Sequence, residues 1–153
     1  MINLYKNFLN EVYTNYIDNE KHLELLSGYS QLAGTQYFNH DFRSYSISLG
    51  RSLGATSALK EFIKKHPEKR FLVITNLVLY KSMFEEFHKK EGLDNVEFVF
   101  SLYKVTGSLP KSDIVLFDNH ALLTGSYIHK NIEEYILSRM NSNRLDQVLI
   151  KFQ

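Results

Sequence analysis

Apolar positions recur at spacings of three and four over the first seventeen residues. Tyr5, Phe8, Leu9, Val12, Tyr13 and Tyr16 form one stripe, which predicts a helix over 2–17. Asp18-Asn19 breaks that helix and caps a short second one through Leu23, Leu25 and Leu26, which Gly28 ends. From Tyr29 to Arg43 the chain is polar and aromatic with no period, and it predicts a connector carrying one helical turn. Alternation of Tyr45, Ile47 and Leu49 predicts a strand over 44–49, followed by a turn at 50–55 and a helix from about 56 to 66 that His66-Pro67 stops. The run Phe71 to Thr75 is apolar throughout, as in a strand covered on both faces. Leu79, Met83, Phe84 and Phe87 then mark a helix ending near Glu91-Gly92, and Val96 to Phe100 marks a third strand. A loop with Gly107 and Pro110 leads to a fourth strand, Asp113 to Asp118. After a loop through Gly125, Ile132, Tyr135, Ile136 and Met140 mark the last helix, and Gln147 to Phe152 closes the chain as a strand.

Strands that alternate with helices and are apolar on both faces predict a three-layer α/β fold. Its sheet is mainly parallel with about five strands, joined by right-handed crossovers. The length of 153 residues fits one domain, with 1–43 as a helical N-terminal cap and 44–153 as the α/β core.

The stretch Ser44 to Phe62, SYSISLGRSLGATSALKEF, has the order of a phosphate-binding loop: strand, glycine-containing turn, hydroxyl pair, helix. A working loop reads G-x-x-x-x-G-K-[ST]. Its backbone N–H groups wrap the phosphates, its Lys reaches the outer ones, and its hydroxyl serves magnesium. With the second glycine on Gly54, Leu49 stands at the first glycine, Gly50-Arg51-Ser52-Leu53 fills the loop, Ala55 replaces the Lys and Thr56 supplies the hydroxyl, followed by Ser57. The partner element is an apolar strand ending in Asp-Glu, whose Asp holds magnesium through water and whose Glu orients the attacking water. Here Ile114-Val115-Leu116-Phe117 runs into Asp118, and Asn119 stands where the Glu belongs.

On these residues the chain resembles the RecA-like P-loop ATPase core of phage large terminases and superfamily helicases. Their S-R-x-x-G-K-T-T segment corresponds to GRSLGATS, their second strand to FLVITN and their Asp-Glu strand to IVLFDN; the likeness covers roughly 44–152. It implies a nucleotide or phosphate site of Gly50, Arg51, Ser52, Gly54, Ala55, Thr56 and Ser57, with Asp118 on a magnesium ion through water. It also implies a catalytic contribution from Arg51 in place of the missing charge, and an adenine-reading role for Gln31 or Gln36. The two departures, Ala55 and Asn119, fall on the groups that do the chemistry. The resemblance therefore implies a catalytically degenerate, phage-encoded NTPase-like protein, a pseudoenzyme. It would act by binding a nucleotide, ATP or another with magnesium, or a protein partner: host or phage machinery, or itself. One alternative is an ATPase stimulated by nucleic acid or a partner that supplies the missing charge. Another is a nucleic-acid-binding module using Lys60, Lys64, Lys65, Lys69 and Arg70 on backbone phosphates.

Plainer readings stand beside these. Residues 50–57 also read as an ordinary strand-to-helix turn with Thr56 or Ser57 as N-cap. Asp118 also reads as a turn residue, and the basic cluster as a solvated helix face. His40 beside Asp41 reads as an acid/base pair or as solvent-facing loop, and His88, His120 and His129 lack zinc-ligand spacing.

Composition narrows the picture further. Net charge is +1, so no strong overall field draws nucleic acid or membrane, which leaves local patches. The absence of cysteine removes disulfides, thiolate zinc sites and thiol catalysis. Neither zinc nor haem is expected, and a cytoplasmic location is. The hydrophobic share of 44% is that of a folded chain, and no apolar run nears the ~20 residues that span a bilayer. Abundant Asn, Lys, Ile and Tyr without Trp match an AT-rich genome such as that of many phages.

Overall fold

The apolar runs form five short strands, all parallel: β1 (Ser44–Ile47), β2 (Phe71–Ile74), β3 (Val96–Val99), β4 (Ile114–Asp118) and β5 (Val148–Phe152). Their order across the sheet is β1-β5-β4-β2-β3. The computed structural model describes residues 2–29, 36–47, 55–118, 132–140 and 144–152. Within them lie seven α-helices: α1 (Ile2–Val12), α2 (Glu20–Ser27), α3 (Gln36–Phe42), α4 (Ala55–Lys65), α5 (Leu77–Phe84), α6 (Leu102–Ser108) and α7 (Ile132–Arg139). Wider π-helical turns extend α1 over Tyr13–Ile17 and α5 over Glu85–Lys90.

The three layers follow from the direction of the crossovers. The steps β1 to β2 and β2 to β3 run one way along the sheet and carry α4 and α5. The steps β3 to β4 and β4 to β5 run back and carry α6 and α7. Crossovers of one hand then place the two pairs of helices on opposite faces. The cores agree with this. Phe71, Val73, Ile114, Leu116, Val148 and Ile150 pack with α1, α4 and α5, whereas Leu72, Ile74, Val115, Phe117 and Leu149 pack with α6 and α7. Every second residue of a strand serves each face, so both faces demand apolar side chains, and the runs read as continuous.

Local chemistry sets the helix ends. The Asn19 side chain accepts from the His22 N–H at 3.1 Å and starts α2. The Asn76 side chain does the same for the Leu79 N–H at 2.9 Å and starts α5. The helical stretch after α5 ends at Gly92, which adopts φ +65°, a left-handed conformation that glycine takes without a Cβ penalty. The stripe of α1 is core: Tyr5, Leu9 and Val12 are buried, and Tyr13 stands edge-on to Phe62 of α4.

Two expectations need correction. The stretch with Gly107 and Pro110 is the helix α6, continued by a 3-10 turn over Leu109–Lys111, and is not a loop. Parallel strands need a crossover element between them, and Val105 and Leu109 supply its apolar side; Pro110 sits at the start of the 3-10 turn, where its missing N–H does no harm. The expected connector at 29–43 holds a seven-residue helix, α3, longer than one turn. Arg43, just after it, is fully buried, and the tertiary bonds it makes hold α3 in place. Its Nη1 donates to Asn39 Oδ1 at 2.9 Å, its Nη2 to the Arg144 carbonyl at 2.6 Å and its Nε to the Gln147 carbonyl at 3.0 Å. Asn39 in turn donates to the Leu137 carbonyl of α7 at 2.6 Å.

Candidate functional site at the carboxyl end of the sheet

In a parallel sheet every crossover helix begins beyond the carboxyl ends of the strands, and ligands bind there, where neighbouring connections diverge. That divergence falls between β2 and β4: β2 leads to α5 on one face, and β4 leads to α7 on the other. The structure brings the first turn of α4 and the end of β4 to this same end of the sheet. β5 lies between β1 and β4, so Asp118 is two strand spacings, roughly 9–10 Å, from the β1 axis. A phosphate chain with a hydrated cation is of that size.

α4 begins at Ala55, which is half-buried against the core. Thr56 and Ser57 are therefore inside its first turn and are not its N-cap, contrary to the plainer reading. Both are exposed, and they line a groove of about 370 Å³ between α4 and α5 together with Lys60, Met83 and Glu86. Gly50, Arg51, Ser52, Gly54, Asn119, His120, His129 and Gln31 lie outside the described residues.

Strand register shows what surrounds Asp118. Ile47 is level with Phe152, and Phe152 with Asp118. Ile74 is level with Phe117 and with Val99. The next residues, Thr75 and Phe100, are thus level with Asp118, and the Thr75 N–H bond to the Val99 carbonyl at 3.0 Å carries the ladder on. The last row on the α4 face is Ile47, Phe152, Asp118, Thr75, Phe100. Two adjacent polar side chains, Asp118 and Thr75, sit in an apolar and aromatic row. Thr75 is fully buried, and its Oγ1 has no hydrogen-bond partner.

Tyr5 of α1 closes over the same place. Its ring meets Phe152 edge-on at 5.7 Å. Burial first, and then the negative charge of Asp118, raise its pKa. The phenol therefore stays protonated and neutral beside the carboxylate. On the opposite face Lys151, 6% exposed, places its Nζ 2.6 Å from Glu133 Oε1 in the first turn of α7. The carboxylate there suits the positive end of the helix.

The residues of the basic cluster are divided among several partners. Lys60 bonds Glu86 at 2.7 Å and reaches Glu91 at 3.4 Å, and Lys64 bonds Glu91 at 3.0 Å. The Lys60 pKa is raised by its bond to Glu86, and the Glu86 and Glu91 pKa values are lowered by their bonds to Lys60 and Lys64 respectively. Lys65 lies 3.5 Å from Asn10. Lys69 and Arg70 precede β2, at the amino end of the sheet, away from Asp118; the Arg70 N–H donates to Asp113 Oδ2 at 2.7 Å. His40 and Asp41 do meet, Nδ1 to Oδ1 at 3.1 Å, on an exposed part of α3. His88 bonds the Leu93 carbonyl at 2.7 Å.

Among the described residues no group of three or more His, Cys, Asp and Glu could hold a metal ion. Magnesium carried by a nucleotide needs no such group, since it is commonly bound by one or two carboxylates plus phosphates and keeps several waters. In the last row of the sheet, the Asp118 carboxylate and the orphaned Thr75 hydroxyl would accept from its waters. No described helix is long and apolar enough to cross a membrane.

Sequence reasoning did not single out Tyr5, Thr75, Lys151 or Arg43. Two of them leave a mark in the chain: Thr75 is the one polar residue of FLVIT, and Lys151 the one charge of VLIKF. No protein-family model, curated protein or solved structure matches the chain.

Proposed function

We propose that this chain is a nucleotide-binding α/β domain of degenerate P-loop type that binds without efficient hydrolysis and acts through the bound state. One observation supports the reading most: the first turn of α4 and Asp118 lie at the same end of the parallel sheet with a single strand between them. The N–H groups of that turn, with the partial positive charge of the helix end, favour phosphate. In this reading Asp118 meets a cation on the far side of the phosphates. Ala55 and Asn119 remove the outer-phosphate cation and the water-orienting carboxylate, which between them supply much of the rate in such sites. A stable bound state that does not turn over is what remains, and a protein partner would read it.

The ion pairs of Lys60 and Lys64 weigh against a nucleic-acid-binding module, since those charges are already engaged. The test is to measure nucleotide binding and turnover on the same preparation. Binding of a fluorescent ATP analogue, weakened in Thr56→Ala, with ATP turnover no faster than in that variant, is the expected result. Turnover well above the Thr56→Ala control overturns the non-hydrolytic part of the reading.

A further inference from the structure

We infer that Thr75 is the second side chain of the Asp118 site, and that its hydroxyl holds a water of the hydrated divalent cation carried by the nucleotide. This rests on the nucleotide reading above and adds a residue to it.

The placement is the first ground. Thr75 and Asp118 are level on adjacent strands and project from the same face, at the divergence of the β2 and β4 connections. The second ground is the state of the hydroxyl. Thr75 follows four buried apolar residues and is itself fully buried, yet its Oγ1 has no partner. A buried hydroxyl left unpaired lowers stability, and valine would fill the same volume without that penalty. A polar group kept at such a position is accounted for by a partner that arrives with the ligand.

The chemistry defines that partner. A cation held by one carboxylate through water presents several coordinated waters, each a strong donor with two hydrogens. Asp118 can accept from some of them. Further acceptors must come from the neighbours, and in the row Ile47, Phe152, Asp118, Thr75, Phe100 the side chain that can accept beside Asp118 is Thr75.

The test is a calorimetric titration of ATP into the full chain, in magnesium and in EDTA, for wild type, Thr75→Val, Thr75→Ser and Asp118→Asn, with thermal melting of each. Thr75→Val is expected to melt at the same or a higher temperature and to bind magnesium-free ATP like wild type. It should also lose about tenfold of the affinity gained from magnesium, a loss of ~1.4 kcal/mol. Thr75→Ser should restore most of that gain, and Asp118→Asn should abolish it. If Thr75→Val keeps the full gain, the role of Thr75 is overturned and the nucleotide reading stands. Equal wild-type affinity with and without magnesium has the same consequence. A wild type that binds no nucleotide overturns both.

Discussion

The side chain of Arg43, just ahead of β1, donates to the backbone carbonyl of Gln147, just ahead of β5, 104 residues later in the chain, at 3.0 Å. Both residues are fully buried. The Gln147 Nε2 then donates to the carbonyls of Leu109 and Ser112 at 2.8 and 2.9 Å. One guanidinium and one amide thus join α3, the turn after α6 and the entries to β1 and β5. These bonds tie together the entries to β1 and β5, the strands whose ends share the row of Asp118.

Removing Arg43 should be severely destabilising. Arg43→Met leaves Asn39 Oδ1 and the carbonyls of Arg144 and Gln147 without their donor inside the protein. The expected loss is about 3 kcal/mol or more, since each stranded buried group costs ~1–3 kcal/mol. Arg43→Lys keeps the charge but not the planar fork and should recover only part of it. Burial lowers the Arg43 pKa to about 10, so it stays charged at neutral pH. Urea denaturation checks the ranking, and an unchanged midpoint for Arg43→Met would contradict it.

Stability should fall as the solution is made mildly acidic, and His66 should be a main cause. Its ring stacks on Tyr13 at 3.6 Å, its Nε2 is buried without a partner, and its Nδ1 lies 3.6 Å from Glu68. Burial lowers its pKa first, and Lys65 and Lys69 add to this against the opposing charge of Glu68. The unfolded chain therefore binds the proton more readily, near the usual pH of ~6.5. The stabilisation is complete above that value and is lost as pH falls through it toward the folded pKa. His22, also lowered by burial and with an unpaired Nε2, acts in the same direction. Urea midpoints between pH 8 and 5 should decline for wild type and decline less for His66→Gln; parallel profiles would contradict the assignment.

The pair Lys151–Glu133 should respond asymmetrically. Glu133 is partly exposed, whereas Lys151 is buried. Glu133→Ala strands a buried cation and should cost about 2 kcal/mol, below the 3–5 kcal/mol of a fully buried pair because solvent reaches the carboxylate. Lys151→Met keeps the volume and should stay within about 1 kcal/mol of wild type. Equal losses in chemical denaturation would show that the pair is not limited by the buried charge.

Nucleic-acid affinity should be weak and nearly independent of salt, because Glu86 and Glu91 engage Lys60 and Lys64. Neutralising both carboxylates, Glu86→Gln with Glu91→Gln, should strengthen binding to a DNA duplex and steepen its salt dependence. Steep salt dependence in the wild type, lost on charge reversal at Lys60 and Lys64, would contradict this.

Most of the sheet was legible because burial on both faces leaves unbroken runs such as FLVIT and IVLFD, flanked by breakers such as His66-Pro67. Asn19 and Gly28 marked the second helix correctly for the same local reason. α6 was not legible, since Gly107 and Pro110 signal a loop wherever no neighbour is known, and the demand for a crossover is tertiary. α3 was underestimated because the partners of Asn39 and Arg43 lie about 100 residues away. Of the candidate site, Asp118 could be read from the end of its strand. Its neighbour Thr75 could not, because strand order and register decide which residues share a row, and neither is a property of a local stretch.

The central claim is that the carboxyl end of this sheet is a nucleotide site with Asp118 on the cation side. The most direct measurement is a calorimetric titration of ATP, ADP and GTP, with and without magnesium, into wild type and Asp118→Ala. The account predicts micromolar binding that magnesium tightens, with that tightening lost in Asp118→Ala. Absence of binding for all three nucleotides, or magnesium-dependent binding that survives Asp118→Ala, would contradict it.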